Sequence, residues 1–301
     1  MSTTSDSPSA DTRDTEPAVR QPADASVGET VARAAAPESF LVPIARDVPV
    51  AAIGRWLALG WRDLMRSYLT GVWFGVCFVA MGTLLALAFK HAPASLMALI
   101  SGFLLIGPFI CVGCYAISYA LERGKQPEIK RAALAFRNNA KNIAIFAAVL
   151  GVLELLWGRA SLVVFALFYQ GGLPETGDIM RAFLTLDNLA FVIAYLVVGA
   201  VFATLVFVAS VVAIPLMLNR NTDAITAALT SVRVCLASPL TLGVWGLSIA
   251  FLTLLAMLPA FIGLIVVGPW LGHATWHAYR ELVPAEVAHV DAPRIARDVV
   301  V

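Results

Sequence analysis

The chain has 301 residues, of which 59% are hydrophobic and 14% are charged, and its mean hydropathy is +0.82. Ordinary soluble domains carry about 25% charged residues, so this composition excludes a water-soluble globular protein and predicts an integral membrane protein. The formal net charge of +1 excludes a strongly basic nucleic-acid-binding protein, because the long-range field that such a protein uses would be missing. The expected partners are therefore the lipid bilayer and, within it, another membrane protein or a second copy of the chain.

Two polar tails are expected to flank the membrane domain. Residues 1–43 are rich in Ser, Thr, Asp, Ala and Pro and bury too little apolar surface to offset the entropy of an ordered chain. We therefore expect a disordered cytoplasmic tail at 1–43, a membrane domain at 44–283 and a cytoplasmic tail at 284–301.

Apolar segments long enough to cross a bilayer occupy most of residues 44–283. A helix that crosses a hydrocarbon core needs about 20 apolar residues. From Val234 to Tyr279 no Asp, Glu, Lys or Arg occurs; this run is about twice that length, so it must fold back. Leu258-Pro259 is the natural hairpin, because proline lacks the backbone N–H. The predicted fold class is an all-α polytopic membrane protein with six transmembrane helices, at about 69–89, 95–121, 143–170, 188–218, 239–258 and 260–280.

The distribution of Lys and Arg predicts the orientation. Basic residues near the ends of spans stay in the cytoplasm, and one set of connections carries nearly all of them. Only Lys90 and Arg181 fall on the opposite side. Both termini and the basic connections are therefore expected in the cytoplasm. The residues counted on that side are Arg55, Arg62, Arg66, Arg123, Lys125, Lys130, Arg131, Arg137, Lys141, Arg220, Arg233 and Arg280.

A short amphipathic helix is predicted before spans 1, 3 and 5. Apolar residues recur there at helical spacing, and Asn221 or Thr222 is expected to cap the third helix. The simplest account is a three-fold repeat of an interfacial helix followed by a membrane hairpin, at about 49–123, 126–220 and 222–282. Coincidence in apolar sequence of low diversity is the alternative. The apolar stripes are Ile53, Leu57, Trp61, Leu64 and Tyr68; Ile129, Ala133, Phe136 and Ala140; and Ile225, Leu229, Val232 and Leu236.

Proline is expected to kink three of the spans. Gly107-Pro108 and Gly268-Pro269 occupy corresponding places in spans 2 and 6. Pro215 lies nearer the exit of span 4. The third span has an open question of its own, because residues 160–170 either complete it or bend along the outer surface.

Four segments carry a resemblance to a known family. They are "WLALGWRDL", "LERGKQPEIKRAALAFRNN", "AIPLMLNRNTDAITAALTSVRVCLASP" and "GPWLGHATWHAYREL". Together they resemble a proteobacterial integral membrane family catalogued as domain of unknown function 2189, over roughly Ile44 to Val283. The resemblance implies an inner-membrane location and implies no activity.

Two histidines one helical turn apart, His273 and His277, raise the question of a metal or haem. Residues at this spacing project from one face of a helix, and Cys111 and Cys114 would lie at the corresponding depth of span 2. The alternative is that the histidines mark the membrane boundary beside Trp276 and Tyr279, in an interfacial aromatic belt, and that the cysteines only pack. No cofactor is expected on the second interpretation.

Glu154 and Arg159 are the charged residues predicted inside span 3. A charge at the centre of a bilayer costs at least about 2.5 kcal/mol, so it usually faces the protein interior or a water-filled cavity. Arg159 lies near the far interface, where it can reach the headgroups, whereas Glu154 lies deeper. Therefore either Glu154 and Arg159 form a possible transport or relay site for a proton or cation, or Glu154 is a buried glutamate that is protonated or hydrogen-bonded to a neighbouring span.

The function expected from these features is a non-enzymatic role in interaction or membrane organisation. No phosphate-binding glycine loop, zinc-protease motif or nucleophile elbow occurs in the sequence. A small-solute or ion transporter with Glu154 in its pathway is the first alternative. A metal- or haem-binding membrane protein is the second.

Overall fold

The computed structural model describes residues 42–88, 95–168 and 188–284, which are almost entirely helical and contain no strand. Nearly all of the predicted tails at 1–43 and 284–301 lies outside this part of the chain, as do the outer-side residues Lys90 and Arg181 and any continuation of span 3 past Phe168. The helices are α1 (Ala52–Arg66), α2 (Tyr68–Ala88), α3 (Ser95–Glu122), α4 (Ile129–Ala133), a 3-10 helix (Ala135–Asn139), α5 (Ala140–Phe168), α6 (Leu189–Ser210), α7 (Ala213–Arg220), α8 (Ala224–Ala237), α9 (Pro239–Met257) and α10 (Leu264–Leu282).

The all-α fold class is confirmed. Four helical segments are long and apolar enough to cross a membrane, namely Tyr68–Leu87, Ile129–Phe168, Leu189–Arg220 and Pro239–Met257. The other two predicted spans correspond to α3 and α10, so the total of six stays a prediction.

Helix α10 is the centre of the largest core cluster. Its second half is buried, and α1, α2, α3 and α9 pack against it. A Cβ on Gly60 of α1 would lie 2.6 Å from the backbone nitrogen of Ala274, and one on Gly75 of α2 would overlap the backbone of Ile265. Small residues therefore let the backbones of α1 and α2 approach that of α10 directly.

Helices α5 and α6 are packed less extensively than the helices around α10. In α5 and α6, Phe165, Phe191 and Tyr195 form a small aromatic cluster, with ring centroids 5.2 to 5.8 Å apart. Much of α5 is exposed, and Leu155 and Leu167 are 72% and 71% exposed. An apolar surface of this kind fits lipid rather than water.

One break and one turn separate apolar helices, whereas two of the three predicted kink prolines lie inside continuous helices. The predicted span 4 is two helices, α6 and α7, which separate at Val211-Val212. Pro215 explains the break, because its ring would clash with the carbonyl four residues earlier. Pro108 and Pro269 lie inside α3 and α10, and the turn between α9 and α10 spans residues 258–263, at the expected Leu258-Pro259 hairpin.

Two local predictions were wrong. The second amphipathic helix is not continuous but consists of α4 and a 3-10 helix, at whose end Asn139 donates to the carbonyls of Met217 and Thr222 at 3.0 and 2.9 Å. The cap of α8 is Asp223, whose Oδ1 accepts from the backbone N–H groups of Ile225 and Thr226 at 3.0 and 2.9 Å. Asn221 instead takes the left-handed conformation that ends α7.

Candidate functional site

Helix α1 crosses α10 and brings a carboxylate against it. On one side of the Gly60–Ala274 contact, the Trp270 Nε1–H donates to the carbonyl of Leu57 at 2.8 Å. On the other side, Asp63 meets His277. The rings of Trp61 and Trp270 also pack, with centroids 5.6 Å apart, whereas Trp56 on the other side of α1 donates to Glu281. The two sides of α1 therefore face opposite ends of α10, so α1 lies across α10 rather than along it.

Asp63 joins a hydrogen-bonded chain of four side chains from three helices. Its Oδ2 lies 2.8 Å from the His277 Nε2 and 2.8 Å from the Ser118 Oγ. The Ser118 Oγ also lies 2.8 Å from the His273 Nδ1. We call these residues, Asp63, Ser118, His273 and His277, the Asp63 network.

The number of available protons determines which atom donates and which accepts in each hydrogen bond of the network. Ser118 has one hydroxyl proton, which it donates to Asp63. His273 must then carry its proton on Nδ1 and donate it to Ser118. The Nε2 of His273 is left as a lone pair, and it has no hydrogen-bond partner among the described residues.

The network is sealed from solvent. Asp63 is 2% exposed, Ser118 and His273 are 0% exposed and His277 is 9% exposed. Burial raises the pKa of the Asp63 carboxyl, but hydrogen bonds from His277 and Ser118 outweigh burial and hold that pKa below its ordinary value. Asp63 is therefore an ionised carboxylate, and the two donors compensate the loss of water around its buried negative charge.

Further polar and aromatic side chains at this end of α10 are also paired across helices. The Trp276 Nε1–H donates to Glu122 of α3 at 2.8 Å, and the Asn219 amide of α7 donates to the Tyr279 hydroxyl at 2.8 Å. Glu281 accepts from the Trp56 Nε1–H at 2.8 Å and forms an ion pair with Arg55. The segment from His273 to Glu281 is thus the hydrogen-bonded joint between α10 and α1, α3 and α7.

The assignment of Trp276 and Tyr279 to an interfacial aromatic belt was wrong. Both side chains are 0% exposed, because α1, α3 and α7 cover this end of α10. The ring of Trp276 packs on those of Tyr119 and Tyr279, with centroids 5.7 and 5.4 Å away. His273 and His277 are consequently internal side chains that face other helices, and their depth in the bilayer stays a prediction.

Cys111 and Cys114 do lie beside the histidine-bearing segment of α10. A Cβ on Gly272 would lie 3.2 and 3.3 Å from the Sγ atoms of Cys114 and Cys111. The histidine nitrogens that face the network are engaged by Asp63 and Ser118. Within the described residues, no group of three or more His, Cys, Asp or Glu side chains is arranged to hold a metal ion.

Glu154 and Arg159 lie elsewhere, in the α5–α6 pair. Glu154 is partly buried and Arg159 is exposed. Glu154 interacts electrostatically with Tyr195 of α6. The structure therefore separates this pair of charges from the Asp63 network and does not bring them together with the histidines.

Asp63 is the residue that sequence reasoning missed. The buried positions Trp56, Gly60, Asp63 and Ser67 are spaced by four, three and four residues, which is the spacing of one helix face. A carboxylate on the same face as a tryptophan and a glycine was the available signal. It was obscured by Arg62 and Arg66, which made the surrounding sequence resemble a solvated face.

The helical fold and the lipid-compatible surface define the class of the protein, an all-α integral membrane protein. Residues 96–219, from α3 to α7, match the model of the family described as "Predicted integral membrane protein (DUF2189)". The resemblance found in the sequence is thus confirmed over these residues. Ser118 falls inside the matched stretch, whereas Asp63, His273 and His277 fall outside it. No curated protein and no solved structure matches the chain.

Proposed function

We propose that this chain is a multi-pass inner-membrane protein with both termini in the cytoplasm and a non-enzymatic role in interaction or membrane organisation. The observation that best supports the role is the sealed Asp63 network. A catalytic acid, base or nucleophile must reach a substrate, yet three of its four members are 2% exposed or less. These side chains hold helices together.

The Asp63 network fixes the position of α1 and therefore of its exposed charged face. Asp63 fixes α1 to α3 and α10, while Arg62 and Arg66 on the opposite face of α1 remain exposed. The segment before α1 is fixed as well, since the backbone N–H of Ala45 donates to the carbonyl of Leu282 at 2.9 Å. A helix attached so firmly presents its charged face in one orientation, as a binding surface for a membrane partner or a second copy requires.

The proposed orientation and span count are tested by reporter fusions. A fusion after residue 130, between α3 and α5, is expected to report a cytoplasmic address. One placed between the predicted spans 5 and 6, after Ala260, is expected to report an external address. An external address at residue 130 would contradict the orientation, and matching addresses at the two sites would contradict the span count.

The proposed role is tested by photo-cross-linking in cells from position 62, on the charged face of α1. We expect one defined adduct, with a second copy or a single membrane protein. The adduct is expected to disappear in Asp63→Ala, which frees α1, and to persist in Asp223→Ala, which removes a carboxylate from α8. An adduct unaffected by Asp63→Ala, or none at all, would contradict the proposal.

Transport is the second candidate, and the observation that favours it is a partly buried Glu154 in a helix long enough to cross a membrane. Solute or proton flux in vesicles that Glu154→Gln abolishes, with the protein still folded, would support transport and overturn the non-enzymatic interaction role. Arg159→Gln is the matched control, because Arg159 is already exposed.

A further inference from the structure

Two adjoining grooves lie at the connection between α3 and α5. The first runs between the end of α3 and α4, over a floor of apolar residues that includes Ala116, Ile117 and Ala120. The second continues along α4 and the 3-10 helix. Glu128 and Arg131 line both, so the two form one continuous surface, which we call the α4 groove.

The α4 groove is strongly cationic. Five basic side chains line it, and Glu128 is the one acidic side chain among its lining residues. This excess favours a ligand with a negative charge, and Arg suits phosphate because its planar donors can bind two oxygens at once. The basic residues are Arg123, Lys125, Lys130, Arg131 and Arg137.

Two of these cations are held in position. The guanidinium of Arg123 lies 4.4 Å from the ring centroid of Tyr119, a cation–π contact. The Nε of Arg131 lies 3.2 Å from a Glu128 carboxylate oxygen. Holding the donors before a ligand arrives lowers the entropic cost of binding.

Apolar side chains at the same level indicate which anion fits. Ile129, Leu134 and Phe136 are 38%, 39% and 43% exposed, and they lie on the same short segment as Lys130, Arg131 and Arg137. Water-facing segments rarely combine large exposed apolar residues with a cationic cluster, whereas the bilayer interface accommodates both. A soluble phosphate would use only the cations.

We propose that the α4 groove binds the headgroup of an anionic phospholipid. The phosphate lies among Arg123, Lys125 and Arg131, and the acyl chains extend past the exposed side chains of Leu134 and Phe136. The assignment rests on the proposed function in one respect, the placement of this connection at the cytoplasmic leaflet, where anionic lipid attracts basic segments. It gives the proposed membrane-organising role a specific ligand class.

The test uses the full chain purified in neutral detergent. Phosphatidylglycerol is expected to raise its thermal unfolding midpoint, and phosphatidylcholine is not. Arg123→Gln combined with Arg131→Gln is expected to weaken the apparent affinity for phosphatidylglycerol by about tenfold or more. Arg46→Gln combined with Lys141→Gln is the matched control, because both side chains are exposed, neither lines the groove and the pair removes the same charge, so that affinity should be unchanged.

The outcomes distinguish binding of an anionic phospholipid at the groove from nonspecific charge attraction and from binding of a free phosphate compound. Equal shifts with both lipids, or an equal loss in the control pair, would overturn the site. So would a shift of the same size with soluble glycerol 1-phosphate, since that would indicate a free phosphate compound. If the double variant does not fold in phosphatidylcholine, Lys125→Gln replaces it, because Lys125 is exposed.

Failure of this site and failure of the proposed function are distinguishable. An external address at residue 130 together with selective binding of phosphatidylglycerol would remove the orientation and keep the site. A cytoplasmic address without lipid selectivity would remove the site and keep the orientation.

Discussion

Helices α1 and α8 occupy the same place in the predicted repeat, yet they turn opposite faces outward. Helix α1 buries Ile53, Trp56 and Leu64 and exposes its arginines. Helix α8 buries mainly small residues, while Ile225 and Leu236 are 80% and 75% exposed.

Amphipathicity therefore does not determine which face of a helix packs on the protein. In α8 the small residues allow close packing, and the large apolar stripe is left for lipid. In α1 the buried residues Ile53 and Trp56 join the core cluster around α10, and Asp63 enters with them because Ser118 and His277 supply donors. Stability should therefore depend on polar bonds at α1 and on small side chains and a cap at α8.

Asp63→Ala should have the largest effect on stability. It leaves His277 and Ser118 facing a buried void without an acceptor, and each buried donor left unsatisfied costs about 1 to 3 kcal/mol. We expect a corresponding fall in the free energy of unfolding, measured by denaturant titration in mixed micelles. An effect no larger than that of Asp223→Ala would show that the network does not hold α1 to the bundle.

Gly60→Val should have the next largest effect. The new Cβ would meet the backbone of Ala274 at 2.6 Å, and because backbone cannot yield like a side chain, α1 must move. Overpacking of this kind costs about 1 to 3 kcal/mol. Gly54→Val is the control on the same helix, since nothing lies within 4 Å of its Cβ position; equal losses from the two variants would contradict direct contact between the backbones of α1 and α10.

Asp223→Ala should destabilise α8 by about 1 kcal/mol, because the first-turn N–H groups of Ile225 and Thr226 lose their acceptor. Asp223→Ser keeps a capping oxygen and should recover most of the loss in the same denaturant titration. If Ser and Ala behave alike, the cap does not contribute.

The smallest effect expected is on acid stability. Because the folded pKa of Asp63 lies below its ordinary value of 3.8, its stabilisation is present above that pH and is lost as the pH falls through the lowered value. The unfolding midpoint of the wild type should therefore fall relative to that of Asp63→Asn below about pH 4. Asp223 also has a lowered pKa, through backbone hydrogen bonds from Thr226 and Ile225, and it is unchanged in both proteins. Parallel curves would contradict an ionised Asp63.

The sequence predicted the helices far better than the site. Charge-free length identifies a helix that crosses a membrane, and prolines and polar turns separate one helix from the next, so the helix order was accessible. The Asp63 network was not, because it needs α1 to cross α10 at Gly60, a contact between residues more than 200 positions apart. Glu154 could be identified as a candidate site residue because it interrupts an apolar run. Asp63 could not, because Arg62 and Arg66 make the sequence around it resemble a solvated face. The orientation of the apolar stripe of α8 could not be predicted, since its pattern fits either face.

The opposite environments of the exposed faces of α1 and α8 are tested most directly by spin labels in bilayers, one at position 62 on α1 and one at position 225 on α8. The four natural cysteines are first replaced by alanine. If lipid covers the apolar face of α8 while the arginines of α1 face water, the label at 225 is relaxed mainly by dissolved oxygen and the label at 62 mainly by a water-soluble nickel chelate. Equal access of the nickel chelate to both labels would contradict the account, because the exposed apolar stripe of α8 would then lie in water.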